Sequence, residues 1–314
     1  MSTRALTAVV AALVLGLLPA TAAQAKTIDY DLPRSGVLLE GIGLAPDGKT
    51  FYVSGVNDGG DVYRGEVGEE ELDLWYDGTD TTGRGIDVDD EGLVYVAGGP
   101  TGTVRIFDAS GTLLATVANG TAGSFLNDLW VGPDGSVYVT DSSLPIIWRV
   151  TEGPTGWSIE PWLDVSPTIA YTAPTTDFDL GGIVTTRDDD ALLTSQGTTG
   201  QLWRIDLATQ EIVEVDLGGD AILNADGIVL KGNRLWVVQN FTRQVSMFTL
   251  DSDAESARLR RIQQTPGDQT LTTAKLTRGR LLAVDSQFGF PPTTAPAEDR
   301  VLSLKPSAGG RARS

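Results

Sequence analysis

Short runs of β-branched and aromatic residues recur along this chain, separated by Gly- and Asp-rich breaks. That pairing of residue types is what short antiparallel strands require. In the first such stretch, Gly41 to Pro46 reads as one strand. An Asp47-Gly48 turn leads into Thr50 to Ser54 (Thr-Phe-Tyr-Val-Ser), and a polar break at Asn57 to Gly60 precedes Asp61 to Val67. Leu72 to Tyr76 then completes a four-strand unit. The same order returns as Asp128 to Val131, Ser136 to Thr140, Ile146 to Val150 and Ser158 to Leu163.

The unit is repeated. EGIGLAPDGKTFYVS, from Glu40, is echoed by stretches that start at Arg84, Asn127, Gly181, Asp226 and Thr272, with spacings of 44, 43, 54, 45 and 46 residues. A self-similar period of that size marks a solenoid or a propeller, and four-stranded antiparallel units are the blades of a β-propeller. The sequence therefore predicts an all-β, six-bladed β-propeller over residues 26–306. The last unit lacks a strand after Leu281 to Asp285 and Arg300 to Leu304, and Thr27 to Leu32 is one to spare. Pairing the N-terminal strand with the last blade closes the ring and hides an exposed edge.

The ends read differently. Arg4, an apolar run from Ala5 to Leu18 and Ala23-Gln24-Ala25 form a secretory signal with a small-x-small cleavage site, so residues 1–25 are expected to be removed and the protein secreted. Residues 307–314 are a basic, disordered tail in this reading. The apolar run is short for a membrane span, and no later stretch is long and apolar enough to be one.

Composition narrows the chemistry. Cys and His are both absent, so no disulfide staples the fold, and no Ser-His-Asp or Cys-His nucleophile arrangement exists. The commonest ligand for zinc, copper and iron is missing as well. A formal charge of −19 makes nucleic acid and anionic membranes poor partners. A small-molecule substrate and a monomeric chain are the expectations.

Strand direction sorts residues by face. The opening residues Glu40, Arg84, Asn127, Gly181, Asp226 and Thr272 ring one mouth of the central channel, with the loops at Asn57, Ser142, Gln196, Asn240 and Gln287. The 54-residue spacing leaves extra chain, Ser166 to Leu180, to lie over that mouth. Glu40, Asn127 and Asp226 converge on one axis, where facing carboxylates repel unless protonated or bridged by a cation. An all-oxygen donor set favours a hard cation, Ca²⁺ first, then Mg²⁺ or Mn²⁺; a plain polar, watered channel is the competing account.

Glu40-Gly41, Asn127-Asp128 and Asp226-Gly227 are also where the chain resembles the gluconolactonase, regucalcin and luciferin-regenerating-enzyme family of six-bladed propellers. The resemblance implies that Glu40 and Asp226 bind a divalent cation and that Asp226 acts as general base. Asn127 then contacts substrate or a metal-bound water. Two positions depart from the family. Gly181 stands where its remaining metal ligand, an Asn, is found, with Asp177 or Asp179 as stand-ins, and Phe125 replaces an Arg. Taken together, these readings give a secreted metal-dependent hydrolase of a small lactone or ester. The cation would polarise a carbonyl while Asp226 takes a proton from water. Asn127, Arg84 and Asn240 would touch substrate, although Arg84 serves equally as a neutraliser of Glu40 and Asp226. The alternatives are a non-catalytic propeller that binds a small molecule or protein, and a lyase or isomerase that uses Asp226.

Other motifs carry less. Asp87 to Gly92 opens like a calcium-binding loop but has Gly98 at position twelve, so it is expected to be a hairpin turn. Trp130, Trp148, Trp203 and Trp236 are expected to pack between blades.

Overall fold

The computed structural model describes residues 28–79, 81–172, 178–286, 288 and 299–306. The expected signal segment and the tail after 306 lie outside the described residues, as do Asp177 and Gln287. Among the described residues no helix is long and apolar enough to cross a membrane.

The alternating runs form six four-stranded antiparallel sheets. Their innermost strands are Leu39–Leu44, Ile86–Val88, Leu126–Val131, Leu180–Thr185, Ala225–Lys231 and Leu271–Thr277. Five sheets run outward in chain order. In the sixth, Ile28–Tyr30 supplies the outermost strand and pairs with Arg300–Leu304 through Ile28↔Ser303 and Tyr30↔Val301. The ring closes as the strand arithmetic requires. Two more bonds hold the seam: the Leu39 amide donates to Asp299 Oδ2 at 2.6 Å, and Thr272 Oγ1 donates to the Glu40 carbonyl at 2.7 Å.

Each apolar cluster joins two neighbouring blades. Tyr30, Phe51, Tyr63 and Val284 fill the gap between blades six and one, and Tyr52, Val62, Val94 and Phe107 that between one and two. Trp148 and Trp203 sit in the clusters on either side of blade three, and Trp236 in that between blades five and six. Burying one such large side chain contributes about 1.5–3 kcal/mol, so stability is spread around the wheel and blades hold their neighbours in place.

Hydroxyls stitch the inner rim. Ser54 Oγ donates to the Arg84 carbonyl at 2.5 Å, Thr140 Oγ1 to that of Gly181 at 2.8 Å and Ser195 Oγ to that of Asp226 at 3.1 Å. Each bond runs from one blade's second strand to the next blade's opening residue, which fixes the spacing of the residues that ring the channel. On the opposite face the Asp turns behave as expected. Asp89 Oδ1 accepts from the Glu91 and Leu93 amides, so this run is a hairpin turn.

Candidate functional site

The opening residues owe their aim to bulges. In five of the six innermost strands the pairing register slips at this point, between Leu39 and Ile42, Leu126 and Leu129, Leu180 and Ile183, Ala225 and Ile228, and Leu271 and Ala274. A bulge leaves extra residues unpaired and re-aims their side chains. Glycine follows Glu40 and Asp226 because neighbouring blades press close: a Cβ on Gly41 would strike the Arg84 carbonyl, and one on Gly227 would strike Thr273.

These residues line a cavity of about 710 Å³ at the channel mouth. Glu40, Arg84, Asn127, Asp226 and Asn240 all contribute to it, so every candidate side chain from the sequence lies in one place. Gly181 also lines it but offers no side-chain donor.

Glu40 is 7% exposed, and its Oε2 has no hydrogen-bond partner among the described residues. Burial pushes its carboxyl well above the usual carboxylate range. The charge of Asp226 adds to that shift, and Arg84 opposes it. Asp226 is pushed up to about 7, by burial first and then by Asp128, against a restraining hydrogen bond from Asn240 Nδ2 to Oδ2 at 3.0 Å. Asn127 Nδ2 donates to Ser142 Oγ at 2.8 Å, and Ser142 in turn donates to the Leu180 carbonyl. The Arg84 guanidinium lies 5.2 Å from the centre of the Phe125 ring, with its buried Nε unpartnered.

Above this polar floor the rim is apolar. Phe125 packs against Phe178 with ring centres 4.8 Å apart. Phe178, Leu223 and Phe241 are 55%, 49% and 59% exposed and all face the same cavity. Thr172 and Phe178 bring the extra chain before blade four to the mouth, where the spacing placed it.

A second layer lies three residues further along the inner strands. Lys275 Nζ, from blade six, bonds Asp87 Oδ1 of blade two at 2.9 Å and stands 4.4 Å from the centre of the Trp130 ring of blade three. Asp128 lies between the layers. Burial raises its carboxyl to about 6, Asp87 pushes in the same direction, and Lys275 opposes. Sequence reasoning missed this layer; Trp130 packs against the cluster between blades three and four as expected, and its indole also lies under Lys275. Comparing units three places after each opening residue (Gly43, Asp87, Trp130, Val184, Val229, Lys275) exposes both the acid and the base.

The chain takes a six-bladed form also seen in several solved proteins. It superposes on a calcium-binding protein, regucalcin, from Agrobacterium tumefaciens with a TM-score of 0.65 at 16% identity, covering 86% of this chain and 90% of that one. A luciferin-regenerating enzyme gives 0.62 at 12% identity over 88% and 94% of the two chains. A Xanthomonas campestris gluconolactonase gives 0.60 at 19% over 86% and 87%. The likeness is one of fold. No protein-family profile and no curated protein sequence matches the chain.

The site corrects the sequence reading in one major respect. Among the described residues no group of three or more His, Cys, Asp or Glu side chains is placed to hold a metal ion. Gly181 supplies no donor, and Asn240 already donates to one Asp226 oxygen. Asp179 is no stand-in: Gln196, Thr198 and Thr172 occupy both of its oxygens and pin the mouth loop instead. The donor set does not fit a divalent cation. The expected Ca²⁺, Mg²⁺ or Mn²⁺ site at Glu40, Asp226 and Asn127 is therefore withdrawn, and with it the metal-dependent lactone or ester hydrolase in which Asp226 serves as base.

Proposed function

We propose that this chain is a non-catalytic propeller that binds a small organic molecule at the channel mouth. The observation that carries this reading is the convergence of exposed Phe178, Leu223 and Phe241 above a polar floor of buried Glu40 and Asn127 and half-buried Asp226. Monomeric proteins seldom leave apolar side chains clustered in water without a use. Concave sites with apolar walls and a few convergent polar groups are the usual form of small-molecule pockets, and this cavity falls within their usual volume range. In this reading Arg84, Asn127 and Asn240 are ligand contacts. Export by way of residues 1–25 and action as a monomer belong to the same proposal.

The test is a thermal-shift screen of small aromatic and aliphatic compounds on the wild type and on Phe241→Ala. A ligand present at a hundred times its Kd stabilises by about 2.7 kcal/mol, which raises the melting point by about 5 °C or more. True hits lose that shift in the Phe241→Ala protein. A screen without hits, or hits indifferent to this change, rules the reading out.

A further inference from the structure

The two layers of the channel differ in one chemical component. In the lower layer an ammonium group, Lys275 Nζ, sits between a carboxylate, Asp87, and an aromatic ring, Trp130. The upper layer has the carboxyl groups of Glu40 and Asp226 and the rings of Phe125, Phe178, Phe241 and Phe288, but no ammonium. Its cation, Arg84, lies against Phe125 and forms no ion pair with either acid among the described residues. Glu40 lines this space, and its Oε2 is buried without a donor among the described residues. Across both layers four carboxyl groups (Glu40, Asp87, Asp128 and Asp226) meet two cations, Arg84 and Lys275.

We propose that the small molecule is an organic amine. Its protonated nitrogen would lie between Glu40 and Asp226, and its apolar body against Phe125, Phe178 and Phe241. This inference rests on the binding reading above and names its ligand class. Three physical arguments support it. An ammonium N–H supplies the Glu40 carboxyl group with a donor that it lacks, and a charge-assisted bond of this kind is among the stronger ones. Aromatic faces carry negative quadrupole density that attracts a cation, most strongly where water is excluded. The chain itself builds this same combination of groups three residues deeper, so the channel tolerates it. The need for an N–H donor favours a primary or secondary amine over a quaternary ammonium.

The test uses isothermal titration of the full chain with three probes that share one body: naphthylethylammonium, naphthylethanol and naphthylpropanoate. The ammonium is expected to bind at least about tenfold more tightly than the alcohol, and the carboxylate most weakly. Glu40→Gln is expected to weaken ammonium binding by about tenfold to a hundredfold, the range for a charge-assisted bond, and to leave the alcohol unaffected. Asp226→Asn serves the same purpose should Glu40→Gln not fold. A trimethylated probe is expected to lose most of the gain of the primary amine. If the alcohol or the carboxylate binds as well as the ammonium, or if both variants bind the ammonium like the wild type, the amine assignment falls while the cavity remains a binding site. If none of the three binds, both readings fall.

Discussion

The upper and lower layers of the channel share a chemistry but not its resolution. Both place carboxyl groups and aromatic rings on a narrow axis. The lower layer neutralises Asp87 with Lys275 from two blades away, in a bond that also ties blade six to blade two. The upper layer gives Glu40 and Asp226 no ion pair among the described residues, and burial, with nearby carboxylates, shifts their carboxyls upward against Arg84 and, at Asp226, the Asn240 bond. A buried charge is tolerable when it is paired, and a group without a partner takes up a proton instead. One layer therefore acts as a structural rivet, and the other holds strain that a ligand can relieve.

The largest consequence of this difference is expected at Lys275. Replacing it with Met leaves Asp87 and Asp128 without their cation, and breaking a buried pair from one side typically costs about 3–5 kcal/mol. Urea unfolding of Lys275→Met at neutral pH measures this directly. A loss below about 1 kcal/mol would mean that the lower layer is no better neutralised than the upper one, and the contrast would dissolve.

The next effect lies in the pH dependence. The Asp226 carboxyl rises from an ordinary 3.8 in the unfolded chain to about 7 in the fold. The native state therefore holds the proton where the unfolded state has already released it. The stabilisation is complete below the unfolded value, and it drains away as the pH rises through the folded one. Each such group gives a slope of up to about 1.4 kcal/mol per pH unit across that window. The wild type is thus expected to lose stability between about pH 4 and 7, and Asp226→Asn to flatten the curve. Asp128 and Asp299, raised to about 6 and about 8, titrate in the same direction, so the difference between variant and wild type is the quantity to read. Parallel curves would show that Asp226 is not strained.

Much of the fold was legible because the repeat made it so. Six copies of one pattern fixed the blade count, and a strand missing from the last blade with one to spare at the N-terminus required the closure that Ile28–Tyr30 makes with Arg300–Leu304. The upper ring was legible for the same reason: each unit's opening residue occupies one register position. What escaped was whatever depended on facing distance. Comparing repeats sets Asp87 and Lys275 at one depth but does not say that they touch: they lie 188 residues apart and meet only because the ring brings blades two and six together. The metal expectation failed on the same ground, since two acids at matching positions do not disclose whether a third donor stands near them. Likewise, the burial of Asp141 beneath the mouth loop, where it accepts from the Phe125 amide and Trp148 Nε1, follows from the end of a second strand and was not read from the sequence.

The smallest stability change is expected at Glu40, and the argument for it closes the contrast between layers. Burial and the neighbouring Asp226 push the Glu40 carboxyl well above the usual range, which favours its neutral form. Glu40→Gln keeps that neutral form in a similarly shaped group, and stability at pH 7 should change by less than about 1 kcal/mol. The analogous change in the lower layer, Asp87→Asn, removes a paired charge and strands Lys275, so it should cost several times more. Were both substitutions to destabilise the chain alike, Glu40 would have to be ionised and paired in the folded protein, and the upper layer would be a second rivet rather than a site waiting for a positive charge. Should they diverge as expected, a residue nearly silent in unfolding would be decisive in amine titrations, which is the behaviour of a group placed for a ligand and not for the fold.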